Sequence, residues 1–333
     1  MDMRYISLPD NRTRRLSFYL AMEEYVARNM NNDEDCFFMW QVEPSVIFGR
    51  NQLIENEVNI DYCRKNNILT YRRKSGGGCV YADMNNIMFS YITRSDNVTT
   101  TFDRYVRMVS DMLCSLGVAA EPSGRNDILI EGRKVSGNAF YHISGHSIVH
   151  GTMLYDTNME NMVAAITPSD EKLISKGVKS VRQHIALLKD YITLDIEEFK
   201  NYARNSLCKE ETLLDSDDIS SIEIIEQEYL SREFILGRNP RYTYINKVRI
   251  DGVGELEARL EIKKGIIKSA NILGDYFLTG DINAEIIRPM IGQPYNEDAL
   301  KSVLPDNTEE IIHNLNKDQL ISLIYGKQKN LPV

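Results

Sequence analysis

The chain has 333 residues, more than the roughly 100–200 residues of a typical single domain, so two domains are expected. Hydrophobic residues make up 43% and charged residues 26%, as in ordinary globular proteins. No run approaches the ~18 consecutive apolar residues of a membrane-spanning helix. A net charge of -9 argues against a protein whose main partner is DNA or RNA, because such binding depends on lysines and arginines that neutralise phosphates.

Residues 1–11 lack the basic and then apolar layout of a secretory signal, so a cytoplasmic protein is expected. The five cysteines are scattered and show no C-x-x-C spacing, which predicts free thiols rather than disulfides or a zinc site. They are Cys36, Cys63, Cys79, Cys114 and Cys208. Two basic clusters suit a small anionic ligand such as a nucleotide, with a solvated surface as the alternative. They are Arg72-Arg73-Lys74 and the group Lys172, Lys176, Lys179 and Arg182.

The N-terminal region combines a helical pattern with two extended runs. Apolar residues at 16–30 keep helical spacing and leave one polar side. Apolar runs at 37–42 and Ser45–Phe48 predict two strands. Because only Glu43 and Pro44 separate these runs, a hairpin is the simplest arrangement.

Helices and strands then interleave. Residues 59–66 predict a short helix leading into a strand at 68–72, and 102–116 keeps helical spacing up to Gly117, which occupies the position of a helix-terminating glycine. Further strands are predicted at 127–131 and 147–155, and a helix start with an early proline at 167–170. The expected hairpins favour a mixed sheet over a purely parallel one.

After about residue 246 the pattern changes. Apolar residues at 256–262 alternate with charged residues, as in a half-buried strand. Three short helical patterns follow, at 282–290, 297–303 and 308–323. The expected fold class is α+β: a mixed sheet flanked by helices in a large domain at 1–246, followed by a small α+β domain at 247–333.

The strongest local signal is the segment Arg-Arg-Lys-Ser-Gly-Gly-Gly-Cys-Val-Tyr at 72–81. Consecutive glycines let the backbone approach a ligand closely and present N–H groups to a phosphate or carboxylate, and Arg73 would add a fixed charge. A flexible surface loop is the alternative for three glycines alone. The basic residues before them and the strand-like runs on both sides favour a binding loop.

A second signal joins Gly-Arg-Asn-Asp at 124–127 to Lys-Val-Ser-Gly-Asn-Ala at 134–139. A carboxylate and an ammonium near one site suit phosphoryl chemistry, because Asp127 could hold Mg²⁺ while Lys134 neutralises charge on an α-phosphate or a substrate carboxylate. For these two residues taken alone, exposed and solvated side chains are the alternative.

His-Gly-Thr at 150–152 ends a predicted strand. His150 is assigned no proton-transfer role, because a lone histidine is more often a hydrogen-bonded structural residue. The sequence contains no phosphate loop, dinucleotide fingerprint, nucleophile elbow or H-E-x-x-H motif. A bound nucleotide would therefore need another architecture.

Together these segments resemble the lipoate-protein ligase family, in which R-R-x-S-G-G-G, G-R-N-D, K-V-S-G-N-A and H-G-T follow in this order and spacing. Further similar segments at 20–24, 49–52 and 176–182 extend the likeness over roughly residues 15–190. The tail from Gly252 through Gly274-Asp275 is similar to the accessory domain of bacterial ligases. The fold implied by the resemblance is that of biotin and lipoate ligases, which is similar to class II synthetases.

The resemblance implies a two-step reaction in which lipoate and ATP give lipoyl-AMP and pyrophosphate, after which a lysine of an acceptor protein attacks the adenylate. It implies ATP and Mg²⁺ as cofactors and lipoate as substrate. The implied acceptors are lipoyl domains of 2-oxoacid dehydrogenase E2 subunits or the glycine-cleavage H protein. No nucleic-acid or membrane partner is implied.

Residue by residue, Lys134 matches the family's essential lysine, which contacts lipoyl carbonyl and phosphate oxygens, and Asp127 is assigned to the metal. Trp40 matches an aromatic wall of the lipoyl tunnel, with an ordinary core tryptophan as the alternative. The backbone near Val80 and Tyr81 would meet adenine. The whole set matched to substrate and adenylate binding is Trp40, Arg73, Ser75, Gly76, Gly77, Gly78, Val80, Tyr81, Asn126, Ser136, Gly137, Ala139, His150, Gly151, Thr152 and Lys179.

The chain departs from the family pattern at Ala82, Met88 and Gln183-His184, which leaves open an octanoate preference or a weaker first step. Three alternatives to the ligase stay open. An acyltransferase that needs no ATP could use Cys79 as a nucleophile, although a small buried filler is the plainer interpretation of that cysteine. The others are a non-catalytic lipoate-binding paralogue and a biotin ligase.

Overall fold

The protein is described by a computed structural model. All residues are described except 1–2, 30–33, 53, 96–97, 125, 167–182, 237–241 and 327–333. The chain divides into two compact units. The first comprises Met1–Phe48, Ile54–Arg73 and Cys79–Ile235, and the second comprises Gly49–Leu53, Lys74–Gly78 and Leu236–Val333.

The strands of the first unit are β1 (Met3–Ser7), β2 (Asp35–Trp40), β3 (Ser45–Phe48), β4 (Leu69–Arg72), β5 (Val80–Ala82), β6 (Ile87–Thr93), β7 (Ala120–Pro122), β8 (Asp127–Ile130), β9 (Arg133–Ile143), β10 (His146–Met153) and β11 (Glu210–Leu213). Its helices are α1 (Leu16–Asn29), α2 (Ile54–Glu57), α3 (Ile60–Lys65), α4 (Val98–Cys114), α5 (Met159–Ile166), α6 (Ile196–Leu207), α7 (Ser216–Leu230) and α8 (Arg232–Leu236). The second unit contains β12 (Tyr244–Ile250), β13 (Gly254–Lys263), β14 (Ile266–Gly274), α9 (Arg288–Met290), α10 (Glu297–Val303) and α11 (Lys317–Tyr325).

An eight-stranded sheet in the order β11-β1-β2-β6-β10-β9-β8-β7 forms the centre of the first unit. β1 runs parallel to β11 and β2, and the other neighbours are antiparallel. Successive side chains of a strand point to opposite faces. Ser90 of β6 therefore reaches Glu23 of α1, whereas Tyr91 packs against Tyr105 of α4 on the other face. This arrangement confirms the expected mixed sheet flanked by helices.

The polar side of α1 is buried rather than solvated. α7 packs along α1, so Glu23 and Glu24 lie at 0% and 1% exposure. Buried carboxylates need hydrogen-bond donors, and Ser90 donates to Glu23 while Tyr229 of α7 donates to Glu24. The helical spacing at 16–30 is thus confirmed up to Asn29, with both sides of the helix covered.

The predicted hairpin between 37–42 and Ser45–Phe48 is wrong. β2 is paired on both edges, by β1 and β6, so it offers no edge to β3. β3 instead forms the centre of a separate three-stranded sheet, parallel to β4 and antiparallel to β5. All four residues of β3 are buried, as expected for a short apolar run at the centre of a sheet.

Most of the other predicted elements are confirmed. The helix at 59–66 is α3, which Asn59 caps by accepting a hydrogen bond from the Tyr62 N–H. The helix at 102–116 is α4, and Gly117 has the positive φ of 82° that such a position requires. The strand β9 was not predicted, and the helix start at 167–170 lies outside the described residues.

In the second unit β12, β13 and β14 form an antiparallel sheet. The predicted alternation is confirmed in β13, where Leu256, Ala258 and Leu260 are buried. Their side chains share a core with residues of α9, α10 and α11, which gives the expected small α+β arrangement. Among the described residues no helix is both long and apolar enough to cross a membrane.

Candidate active site

Lys134 and Asp127 meet on the β8–β9 hairpin. Glu131 and Gly132 form the turn, with positive φ angles of 52° and 73° that suit a two-residue hairpin. The register shifts between Ile128 and Leu129, a bulge of the kind that re-aims nearby side chains. The Nζ atom of Lys134 then lies 2.8 Å from Oδ1 of Asp127.

The ion pair leaves the carboxylate only partly satisfied. Oδ1 of Asp127 is buried and has no partner of hydrogen-bond geometry among the described residues, so the Lys134 ammonium balances it by charge alone. The two side chains keep 38% and 27% exposure. Solvent or a ligand can therefore reach both side chains, although Oδ1 of Asp127 itself is covered.

Gly137 provides the space that the Lys134 ammonium occupies. Gly137 pairs with Asp127 across the hairpin. A Cβ atom at residue 137 would lie 2.5 Å from both Cε and Nζ of Lys134, and 3.6 Å from Oδ1 of Asp127. A larger residue would displace the ammonium, so this glycine serves the position of the lysine.

Asn138 braces the segment before Asp127. Its side chain donates to the Asn126 carbonyl at 3.0 Å and accepts from Ser136 at 3.2 Å, and the Asn126 side chain donates to the Asn138 carbonyl at 3.1 Å. Gly151 pairs with Asn138 from β10, where a Cβ would lie 1.8 Å from the Asn138 side-chain oxygen. Asn126, Ser136 and Gly151 thus support the hairpin, and the sequence did not identify Asn138 as their common partner.

A cavity of about 280 Å³ lies beside Lys134. This volume is just below the ~300–1,000 Å³ of most small-molecule sites. The expected residues Val80, Tyr81, Gly137 and Thr152 all contribute to its wall. Most of the remaining wall is aliphatic, from Leu154, Met162, Val163, Ile166 and Ile185. The cavity therefore combines an apolar lining with one ammonium group.

His150 and Trp40 belong to a buried hydrogen-bond network centred on Glu23. Nδ1 of His150 lies 2.9 Å and 3.0 Å from the two carboxylate oxygens of Glu23. Ser90 donates to Glu23 at 2.6 Å and accepts from the Trp40 indole N–H at 2.9 Å. Ala139 pairs with His150 in the sheet. The network fixes the imidazole and the indole, and a contact of either with lipoate stays a prediction.

The sheet register connects Trp40 with the ion pair. Trp40, Met88, Thr152, Gly137 and Asp127 are successive partners on β2, β6, β10, β9 and β8. Residues directly opposite one another in neighbouring strands lie on the same face of the sheet. These five residues, called the cross-sheet row below, form a continuous line across the first unit.

Burial determines the charge of Arg73 and Cys79. The Arg73 side chain donates to the Ile47 carbonyl at 3.1 Å, and desolvation lowers its pKa to about 10, so it stays cationic at neutral pH. Desolvation raises the pKa of the Cys79 thiol to about 12, although Arg73 opposes that shift. Cys79 is therefore a neutral thiol at neutral pH, which is a poor nucleophile.

Ser75 and the three glycines are grouped with the second compact unit. The Gly77 N–H donates to the Tyr276 carbonyl at 3.0 Å, and a Cβ on Gly76 would lie 2.3 Å from that oxygen. Ser75, Gly76 and Gly77 are buried, so this segment is a packed loop rather than a loose surface loop. Lys179, the last of the expected ligand contacts, lies outside the described residues.

The chain matches two family models. Residues 16–208 match the lipoyl protein ligase A/B catalytic domain, and residues 239–324 match the bacterial lipoate protein ligase C-terminus. Lipoate-protein ligase LplJ of Bacillus subtilis (strain 168) is 33% identical over 318 residues, which cover 92% of this chain and 96% of that protein.

Two solved structures extend the comparison. A bipartite lipoate protein ligase from Thermoplasma acidophilum, studied with its E2 lipoyl domain, is 28% identical with a TM-score of 0.64 and covers 73% of this chain and 100% of its own. A lipoate-protein ligase A bound with ATP is 26% identical with a TM-score of 0.60 and covers 71% and 99%. By its sequence over nearly its whole length and by its fold, the chain belongs to the lipoate-protein ligase family.

Proposed function

We propose that this protein is an ATP-dependent lipoate-protein ligase, which converts lipoate and ATP into lipoyl-AMP and pyrophosphate and then transfers the lipoyl group to a lysine of an acceptor. The observation that carries the proposal is the Lys134 ammonium, held over Gly137 at the edge of an apolar cavity. An acyl adenylate joins an apolar acyl chain to an anionic phosphate, and this site offers an apolar wall and a cation together.

Lys134 would act by charge neutralisation. In the first step a lipoate carboxylate oxygen bonds to the α-phosphorus as pyrophosphate leaves, and negative charge grows on the phosphate oxygens. In the second step the neutral acceptor amine bonds to the acyl carbon, AMP leaves with the anhydride oxygen, and the amine proton passes to solvent. A fixed ammonium stabilises both transition states, and neither step requires a covalent enzyme intermediate.

Asp127 fits a role in binding Mg²⁺. This ion is usually held by one or two carboxylates together with substrate phosphates. Asp127 supplies a carboxylate with an incompletely satisfied oxygen, whereas no three metal-binding side chains converge anywhere in the described ranges. The nucleotide would therefore supply most of the coordination, and the ion would reduce the repulsion between its phosphates and the incoming carboxylate.

Strand β5 suits adenine. It pairs with β3 on one edge, and no described strand pairs with its other edge. Backbone N–H and C=O groups on a free strand edge match the acceptor and donor atoms of an adenine base. Val80 and Tyr81 of this strand also line the cavity beside Lys134, so the base and the phosphate would be held by neighbouring parts of one site.

The proposed acceptors are lipoyl domains of E2 subunits or the glycine-cleavage H protein. The T. acidophilum relative was studied with an E2 lipoyl domain, which supports the first of these. The net charge of -9 gives no long-range attraction to an acidic acceptor, so docking would depend on a local patch. Residues 1–246 would carry catalysis and 247–333 an accessory role. Free cysteines and the use of ATP fit a cytoplasmic location.

The test is pyrophosphate release from Mg-ATP with lipoate, octanoate or biotin, in the absence of an acceptor. We expect release with lipoate and octanoate and none with biotin. Release with biotin alone would indicate a biotin ligase. No release with any acid would contradict the proposal and favour the acyltransferase or the non-catalytic binder.

A second candidate, the acyltransferase, is distinguished by replacing Cys79 with alanine. Because burial raises the pKa of this thiol to about 12, we expect acceptor lipoylation from lipoate and ATP to stay within about threefold of wild type. Cys63→Ala is the matched control, since Cys63 is a buried thiol of the same unit and desolvation raises its pKa to about 11. Loss of activity in a folded Cys79→Ala protein, with Cys63→Ala active, would support a covalent mechanism.

A further inference from the structure

Two cavities touch the cross-sheet row on either side of Met88. The cavity of about 280 Å³ is lined by Gly137 and Thr152, which follow Met88 in the row. A larger cavity of about 630 Å³ is lined by Trp40 on the other side of Met88. Met88 pairs with Thr152 on one side and with Trp40 on the other, and it is not among the residues that line either cavity. Met88 therefore stands between them.

The Met88 side chain is fixed in this position. It is 5% exposed, and the Thr152 hydroxyl donates a hydrogen bond to its sulfur at 3.2 Å. An unbranched thioether is otherwise one of the more adaptable core side chains. The hydrogen bond holds it against the residue that lines the smaller cavity.

The distance along the row from Gly137, where the Lys134 ammonium lies, to Met88 matches the length of an eight-carbon acyl chain. Neighbouring strands are ~4.8 Å apart, so Met88, two strands from Gly137, lies about 10 Å along the row. An extended eight-carbon acid measures about 9 Å, because each of its carbon–carbon bonds, ~1.5 Å long, advances the zigzag chain by only ~1.25 Å. An acyl chain whose carboxylate meets the Lys134 ammonium over Gly137 would reach Met88 with its last carbon atoms.

We propose that Met88 determines the acyl-chain length that this enzyme accepts. Its side chain lies behind Thr152, at the depth of an eight-carbon acid, and between the smaller cavity and the larger one beside Trp40. The inference rests on the proposed adenylation of lipoate, and it adds a residue that sets specificity. Shortening residue 88 would connect the two spaces and admit longer unbranched acids.

The experiment compares kcat/KM for pyrophosphate release with octanoate, decanoate and dodecanoate. In Met88→Ala, we expect the ratio of kcat/KM for decanoate to kcat/KM for octanoate to rise about 15-fold over wild type. Decanoate has two more methylene groups than octanoate, and burying each of them contributes about fourfold. Met88→Leu keeps the volume and should keep the wild-type ratio. Met153→Ala is the matched control. Met153 is also buried, at 1% exposure, but it follows Thr152 on β10 and so lies on the face of the sheet opposite to Thr152 and Met88.

A folded Met88→Ala protein with the wild-type ratio would overturn the proposal, and so would an equal shift in Met153→Ala. Circular dichroism establishes whether each variant folds, and Met88→Val replaces Met88→Ala if the alanine variant does not fold.

The experiment distinguishes a failure of the ligase proposal from a failure of the Met88 proposal. A wild-type protein that releases no pyrophosphate with any acid refutes the ligase, whereas an active wild type with an unmoved ratio in the variants refutes the role of Met88 alone.

Discussion

Replacing Lys134 with alanine is expected to lower lipoate-dependent pyrophosphate release by about 10²–10³-fold, the effect of removing one preorganised charge from a transition state. The fold should survive, because the side chain is 38% exposed and its ion pair with Asp127 joins two residues of one hairpin. Partly exposed ion pairs contribute little to stability, about 0–1 kcal/mol. Pyrophosphate release and a thermal melt of the same sample measure the two effects.

Lys189→Ala is the matched control for this experiment. Lys189 forms an ion pair with Asp156 at 2.5 Å, and its side chain is 40% exposed, close to the value for Lys134. It is not among the residues that line the cavity beside Lys134. We expect it to keep wild-type turnover, so a drop confined to Lys134→Ala identifies chemistry rather than lost surface charge. Near-normal turnover of Lys134→Ala would remove this lysine from the mechanism.

The elements that the sequence predicted well are those with a local signal. α4 shows apolar residues at helical spacing and a terminal glycine, and β13 alternates along its length. β9 shows neither pattern, because it lies between β8 and β10 with residues buried on both faces, and its first half carries mostly small, polar and charged side chains. A central strand of this composition has no periodicity to detect.

The arrangement of the candidate site follows from the sequence only in part, for the same reason. The family segments pointed to Lys134 and Gly137, but the position of the lysine side chain beside that glycine depends on pairing between strands. Glu23 reaches His150 across 127 residues of sequence and Ser90 across 67. Contacts between residues so far apart in sequence depend on the order of strands in the sheet. The incorrect prediction of a hairpin between 37–42 and Ser45–Phe48 shows that local patterns did not reveal this order.

Replacing Gly137 with alanine is expected to lower kcat about 10²-fold, because a misplacement of about 1 Å in a catalytic group can cost that much. The new Cβ would lie 2.5 Å from the Lys134 ammonium, so the lysine must move. Gly137 does not have a positive φ, so its backbone accepts alanine, and the displaced group is the flexible end of a side chain. The protein should therefore fold and melt close to wild type while turning over slowly.

Gly145→Ala, in the turn between β9 and β10 of the same sheet, is expected to lower stability and leave kcat unchanged, the reverse of Gly137→Ala. Gly145 has a φ of 78° and open space around its Cα, so alanine adds backbone strain of about 1 kcal/mol without displacing any side chain. We expect a lower melting temperature with wild-type kcat. The double variant Lys134→Ala/Gly137→Ala then tests the cause: if Gly137 acts only through the lysine, the second change adds no further loss to the first. A further tenfold loss in the double variant would show that Gly137 contacts the substrate directly.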